Sequence, residues 1–143
     1  MKIFLDTNII LDLLLEREGY EDSAVLFEMQ DTGRLNLCVS LLTMVNVAFV
    51  YKKTVGPHLA AANIKYLSSL VEVLPMNGEQ LQQALLLEGR DIEDILQAAC
   101  AAEAGCDYLI TRNVKDYRIG KGLAKGVALP PLLSPSAILD VLR

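Results

Sequence analysis

The sequence is poor in the residues that build zinc sites and disulfide frameworks. It has one histidine, His58, and three cysteines, Cys38, Cys100 and Cys106, which form no CxxC pair. A lone histidine without partners at ligand spacing excludes a zinc site. An odd number of scattered cysteines indicates buried thiols in a reducing, intracellular setting.

Signals for export or membrane insertion are also missing. The N-terminus lacks the charged, apolar and small-residue segments of a secretory signal. No apolar run approaches the about 20 residues that a membrane-spanning helix needs. We therefore expect a cytoplasmic protein without a membrane partner.

Length and composition predict one domain with a sizeable core. The chain has 143 residues, of which 52% are hydrophobic, and contains no repeat, linker or low-complexity segment. A chain of this size forms a single domain, residues 1–143, that buries about 68 to 70% of its unfolded surface. The high apolar content favours association. A homodimer is the default expectation, and a partner peptide in an apolar groove is equally compatible.

The charge of the chain is unevenly distributed. A formal net charge of −5 argues by itself against nucleic-acid binding, because phosphate contacts need clustered lysine and arginine. The segment 112–125, however, is basic and contains a single acid, Asp116; its cations are Arg112, Lys115, Arg118, Lys121 and Lys125. A local field matters more to a ligand than the total charge does. The segment is either a phosphate-binding loop or a solvated one.

Short apolar runs alternate with segments of helical spacing. Strands are expected over residues 2–5, 35–40, 71–74 and 108–110, with a weak last strand within 127–133. Helices are expected over 9–16, 22–32, 41–53, 58–70, 78–88 and 91–104, and from 135 onwards. This alternation predicts an α/β fold of three layers, α/β/α, around a mainly parallel sheet of about four to five strands.

Three acids fall where such sheets bind ligands, at the carboxyl ends of strands. Asp6 follows the first strand, Asp94 lies in the first turn of the helix from residue 91, and Asp116 follows the strand 108–110. Each also has a simpler interpretation: Asp6 as a helix cap, Asp94 as a capping pair with Asp91, and Asp116 as a surface residue.

Convergence of these acids would create repulsion that a cation relieves. Two unit charges about 4 Å apart repel by roughly 1 to 4 kcal/mol, depending on the local dielectric. Oxygen ligands without histidine or cysteine select hard ions, so Mg²⁺ or Mn²⁺ is expected. Such a site suits the hydrolysis of phosphodiesters.

Three segments carry a family resemblance: IFLDTNIILD at 3–12, DIEDILQAA at 91–99 and DYLITRNVKDY at 107–117. They resemble the opening motif, the central acidic helix and the late strand and loop of PIN domains. LSP at 133–135 matches the family's habit of ending in a short helix. Among bacterial members, the likeness is closest to VapC-type toxins of toxin–antitoxin pairs.

The resemblance implies a PIN-like fold and a magnesium-dependent endoribonuclease. Asp6, Asp94 and Asp116 would be its metal ligands. A metal-bound water would cleave RNA, leaving a 5′-phosphate and a 3′-hydroxyl. The implied partners are the RNA substrate and a small antitoxin protein that keeps the enzyme inactive.

The sequence departs from the family at Asn46. The family usually places a glutamate on the helix after the second strand, where this chain has Asn46. Asn46 lies within a stripe of Leu42, Val45 and Phe49, so we expect its side chain to point inward. An asparagine offers a metal one neutral oxygen and no charge. The alternative function is therefore a catalytically weak or inactive PIN-like module that binds RNA or a protein.

Further residues are assigned supporting roles. Asn46 and Asn113 would position water or a ligand carboxylate, with Asn113 at a place where some members keep an acid. Thr7 and Thr111 would donate hydrogen bonds to the carboxylates, and Asp91 or Asp12 could compensate for the missing glutamate. Arg112, Lys115 and Arg118 would hold RNA phosphates next to the site.

A third hypothesis is a phosphatase of the haloacid-dehalogenase type with Asp6 as nucleophile. Such enzymes need a second aspartate two residues later, where this chain has Asn8. They also usually carry an inserted cap, for which the chain has little room.

Overall fold

The structure, a computed structural model, describes residues 1–87, 91–115, 117 and 128–143. The strands are β1 (Lys2–Leu5), β2 (Asn36–Ser40), β3 (Glu72–Leu74), β4 (Tyr108–Ile110) and β5 (Leu132–Leu133). The helices are α1 (Thr7–Leu14), α2 (Tyr20–Asp31), α3 (Leu41–Val55), α4 (Pro57–Leu70), α5 (Gly78–Leu85), α6 (Ile92–Glu103) and α7 (Pro135–Leu142).

The five strands form one parallel sheet in the order β3-β2-β1-β4-β5. The first strand in the chain is therefore the central one. It pairs with β2 on one side, Phe4 opposite Cys38, and with β4 on the other, Phe4 opposite Leu109. The predicted parallel sheet and fold class are confirmed.

Alternate residues of β1 enter the cores on the two faces of the sheet. Ile3 and Leu5 belong to the larger core, which they share with residues of α1, α2, α3, α4 and α7. Phe4 points to the other face and packs among Cys38, Leu109 and residues of α6. Both faces of a short apolar strand are thus covered, as expected for a buried parallel sheet.

Side-chain caps explain most helix starts. Asp6, Ser40, Asp91 and Ser134 each accept a hydrogen bond from a backbone N–H of the first turn that follows. Helix α1 begins at Thr7, two residues before the predicted start, because Asp6 is the cap. Residue Val127, the predicted start of the last strand, lies outside the described residues, and β5 is confined to Leu132–Leu133.

The predicted apolar stripe of α3 is wrong. Val45 and Phe49 are 59% and 53% exposed, whereas the buried face consists of Thr43, Met44, Val47 and Tyr51. The helix is apolar on more than one side, so periodicity alone could not identify the core face. Burial of Thr43 decides the rotation, because its hydroxyl has partners on α1 and α6.

The cysteines are free and buried, as predicted. The sulfurs of Cys38 and Cys106 are 3.4 Å apart, a contact between two thiols. Among the described residues, no helix combines the length and the apolar character needed to cross a bilayer.

Replacing Phe4 should test the central position of β1. Phe4→Ala removes a fully buried ring and should lower the free energy of unfolding by about 3 to 5 kcal/mol, measured by urea denaturation. Phe49→Ala is the control, because Phe49 is exposed and its ring lies under a lysine ammonium group, with Lys53 Nζ 4.1 Å from the ring centroid. It should cost about 1 kcal/mol or less. Equal losses would contradict the burial pattern.

Candidate active site

Polar residues gather where the three central strands end. Asp6 follows β1, Ser40 ends β2 and Thr111 follows β4, and all three are buried. The backbone N–H of Asp6 donates to the carbonyl of Ile110 at 2.9 Å, so the β1–β4 ladder reaches into the site. Parallel pairing has therefore brought together positions about a hundred residues apart in sequence.

The carboxylate of Asp6 is held at both oxygens. Its Oδ1 accepts from the backbone N–H of Thr7 at 2.8 Å, and its Oδ2 accepts from the Thr111 hydroxyl at 3.0 Å. Asp6 therefore does cap α1, as the simpler interpretation had it. The cap also fixes the rotamer of a carboxylate that is only 5% exposed.

The surroundings of Asp6 disfavour its negative charge. Burial raises the pKa of Asp6 above its ordinary value, although the bonds from Thr111 and Thr7 act in the opposite direction. The carboxylates of Glu93 and Asp91 raise this pKa further. A cation at the site would relieve the unfavourable charge.

The acids that raise the pKa of Asp6, Glu93 and Asp91, lie at the start of α6, next to Asp94 in the sequence. Asp91 is the exposed N-cap and accepts from the backbone N–H of Glu93 at 2.8 Å. Glu93 and Asp94 follow in the first turn, and both are half-buried. A helix N-terminus favours negative charge, which lowers the cost of placing three acids here.

A buried network connects α6 to the strand ends. Gln97 is fully buried, and its amide nitrogen donates to the hydroxyl of Thr7 at 2.9 Å and to that of Thr43 at 2.7 Å. Its carbonyl oxygen accepts from the Ser40 hydroxyl. Since the amide donates both hydrogens and its oxygen is bonded, the network fixes the relative positions of α1, α3 and α6.

Asn46 contacts the acidic cluster through Glu93. Its side-chain nitrogen donates to Glu93 Oε1 at 2.9 Å. The same oxygen accepts a longer bond, 3.4 Å, from the Thr7 hydroxyl. Asn46 is half-buried and directed at the site, but the reason given by the predicted stripe does not hold, because Val45 and Phe49 face outward.

Tyr117 places a phenol beside the same acids. It is 7% exposed, and its hydroxyl has no hydrogen-bond partner among the described residues. Burial raises the pKa of Tyr117, and the next causes are the carboxylates of Asp6, Asp94, Glu93 and Asp91. A buried hydroxyl next to carboxylates, bonded to none of them, is a donor available to a ligand.

Asp12 does not join the acidic cluster. It is buried and its Oδ1 is paired with Arg112 at 2.8 Å and with Arg17 at 3.6 Å. Arg112, predicted to hold RNA, thus has a carboxylate partner while 44% of its side chain stays exposed. Asp12 is thus neutralised by arginines, and its suggested compensation for the missing glutamate stays a prediction.

The remaining predicted residues lie in the segment after β4. Asn113 and Lys115 are exposed, and the Asn113 backbone N–H donates to the Thr111 hydroxyl at 3.4 Å. Asp116 and Arg118 lie outside the described residues. The structure consequently gives no position for the third predicted metal ligand.

The donors of the cluster fit a hydrated hard cation. Its ligand atoms are carboxylate oxygens, which Mg²⁺ and Mn²⁺ prefer. Within the described ranges, no three acids, cysteines or histidines lie close enough to form a metal-binding group by themselves. A cation held here would therefore keep several water ligands, as Mg²⁺ usually does.

Sequence reasoning missed Glu93, Gln97 and Tyr117. A signal was present for the first two, because residues 93 and 97 are one helical turn apart and share a face. On α3, Thr43 and Asn46 are three residues apart, so they too lie on one face of their helix and could have been linked to the site. Tyr117 gave no signal, since an aromatic residue after a strand is more often part of the core.

Tyr117→Phe should show whether the Tyr117 hydroxyl contributes to stability in the absence of metal. The change removes a buried hydroxyl without a partner, so the free energy of unfolding in EDTA should stay constant or rise by about 1 kcal/mol. Tyr51→Phe is the matched control: Tyr51 is equally buried, but its hydroxyl accepts from Asn63 at 2.9 Å. That variant should lose about 1 kcal/mol in urea denaturation. A larger loss for Tyr117→Phe would show that the hydroxyl is bonded in the free protein.

Residues 2–115 match the family described as "PIN domain". Ribonuclease VapC1 of Aquifex aeolicus is 26% identical over 122 residues, covering 81% of this chain and 84% of that protein.

Solved structures with the same fold include VapBC2 from Rickettsia felis bound to a DNA fragment from its promoter. It has a TM-score of 0.67 at 15% identity, over 94% of this chain and 98% of that one. A toxin–antitoxin complex from Klebsiella pneumoniae has a TM-score of 0.62 at 20% identity, over 93% and 97%. The family match over residues 2–115 argues against the phosphatase hypothesis, and this chain belongs to the PIN-domain family.

Proposed function

We propose that this chain is a magnesium-dependent endoribonuclease and the toxin of a toxin–antitoxin pair. The observation that carries the proposal is the environment of Asp6, a clamped and buried carboxylate with Glu93 and Asp91 as negative neighbours. Such an arrangement is unfavourable unless a cation or a proton offsets it. Membership of the PIN family and the likeness to Ribonuclease VapC1 support a cation and RNA.

Asp6 and Asp94 would hold the cation, with Asp116 as a further ligand or as the residue that orients the attacking water. The bound Mg²⁺ or Mn²⁺ would supply an activated water and offset charge on the phosphate. Thr111 and the backbone of Thr7 keep the Asp6 carboxylate oriented. The products proposed from the family resemblance are a 5′-phosphate and a 3′-hydroxyl.

The alternative, an inactive binding module, was motivated by Asn46. The structure weakens that motive, because Asn46 donates to the carboxylate of Glu93 and the pocket does contain acid near position 46. Cation binding separates the two functions. A module would bind RNA or a protein without needing Mn²⁺.

Asp6→Asn and Asp94→Asn should abolish cleavage. With mixed RNAs and Mg²⁺ or Mn²⁺, either change should reduce the cleavage rate by about 100-fold or more. Loss of a residue that merely hydrogen-bonds to a metal ligand already costs about 10- to 100-fold, and loss of the ligand itself should cost at least as much. Asp140→Asn is the control, because Asp140 on α7 is exposed and pairs with Arg143, the residue after the helix. Retained activity in both site variants, or an inactive native chain, would refute the nuclease.

RNA binding is proposed for the basic residues after β4. Arg112 and Lys115 would contact phosphates, joined by Arg118, and Arg112 would do so while its pair with Asp12 fixes its position. Arg112 and Lys115, which are exposed, provide local positive charge on an acidic chain.

Lys115→Gln should weaken RNA binding in EDTA and reduce the slope of log affinity against log salt by about one. Fluorescence anisotropy with a labelled single strand measures both. Lys65→Gln, an exposed change on α4, should alter neither. An unchanged slope for Lys115→Gln would remove Lys115 from the interface.

An antitoxin is the proposed protein partner. Its support is the shared fold with chains of toxin–antitoxin complexes. Exposed apolar side chains on α3 and α5, including Val45, Phe49 and Leu81, also suit a protein partner. The homodimer and the cytoplasmic location stay predictions from composition.

A further inference from the structure

Glu93 is held more firmly than a helix-start acid requires. An exposed acid in the first turn of a helix gains about 0.3 to 1 kcal/mol from the helix dipole without any side-chain partner. Glu93 instead is half-buried, and its Oε1 accepts from Asn46 at 2.9 Å and from Thr7 at 3.4 Å.

The donors of the buried network form a chain of hydrogen bonds that ends at Glu93 Oε1. Gln97 donates both amide hydrogens, to Thr7 and Thr43, and Ser40 donates to Gln97. The Thr43 hydroxyl is then free to donate to Thr7 at 3.0 Å, and Thr7 to Glu93. An ionised carboxylate is an acceptor only, so it is a natural end for such a chain.

The network therefore fixes a carboxylate beside Asp6, where a second negative charge is unfavourable. Its other oxygen, Oε2, accepts no hydrogen bond within the described part of the chain. Tyr117 supplies an independent observation: its hydroxyl is buried, has no hydrogen-bond partner among the described residues, and lies near enough to Asp6, Asp94, Glu93 and Asp91 for their charges to raise its pKa.

We propose that Glu93 is a further carboxylate of the cation site, acting on the hydration shell of the ion, and that Asn46 is a positioning residue that acts through Glu93. The described acids alone form no group of three that could hold a metal ion, so the proposed interaction of Glu93 is with the waters that Mg²⁺ usually keeps. The inference rests on the cation site of the proposed function and assigns Asn46 a role other than that of a ligand.

Calorimetric titration of the metal-free chain with Mn²⁺ tests the role of Glu93. Glu93→Gln keeps the acceptor for Asn46 and removes the charge, so the Mn²⁺ affinity should fall about tenfold. Glu79→Gln is the matched control, an exposed first-turn glutamate on α5, and should bind within about twofold of the native chain. Native affinity in Glu93→Gln would overturn the proposal.

A double-mutant cycle tests the role of Asn46. Asn46→Ala alone should weaken Mn²⁺ binding severalfold, and Asn46→Ala with Glu93→Gln should bind no more weakly than Glu93→Gln alone. Additive losses would mean that Asn46 contacts the ion itself, which overturns its assignment as a positioning residue. Asn46→Ser is the second variant if Asn46→Ala does not fold, and circular dichroism in EDTA checks the fold of each protein.

Asp6→Asn distinguishes failure of the role proposed for Glu93 from failure of the proposed cation site. Loss of Mn²⁺ binding in Asp6→Asn together with native binding in Glu93→Gln refutes the role of Glu93 and leaves the proposed function standing. A native chain that binds no Mn²⁺ refutes both.

Discussion

The hydrogen bond from Thr111 to Asp6 is the contact on which the site depends. It joins the residue after the central strand to the residue after its neighbour, 105 positions later in the chain. Together with the N–H of Thr7 it orients a buried carboxylate, and the same carboxylate caps α1. One side chain thus couples the register of the sheet, the start of a helix and the charge of the pocket. The simpler interpretation of Asp6 as a cap and its proposed catalytic role are compatible for this reason.

Rigidity around Asp6 comes from neutral groups rather than from ion pairs. Gln97, Thr7, Thr43 and Ser40 bond to one another in the dry interior, where an unsatisfied polar group is costly. None of these four residues carries a charge. The arginine nearest in sequence to Thr111 is instead paired with Asp12.

The alternation of strands and helices, the parallel sheet and most helix starts could be predicted from sequence, because apolar runs and caps act locally. Asp6 and Asp94 could be singled out because strand ends and helix starts are recognisable. The side of α3 that is buried could not be predicted, since Leu42, Val45 and Phe49 form as good a stripe as Met44 and Val47. The sequence did not distinguish Glu93 from Asp94. The side chains of two adjacent acids at a helix start point in different directions, and only contacts with residues on α1 and α3 show which direction Glu93 takes. Asp116 remains a prediction, since it lies outside the described residues.

The central place of β1 has a consequence for synthesis. During synthesis β1 precedes both of its neighbours; β2 follows it closely in the chain, but its other edge is completed only by β4. Until residue 111 has emerged, Asp6 lacks its second hydrogen-bond donor, and the helix that carries Glu93 and Asp94 has no finished sheet to rest on. Pairing of strands so distant in sequence is slow compared with local folding. In the nascent chain the Asp6 carboxylate is consequently oriented late, only after β4 has joined the sheet.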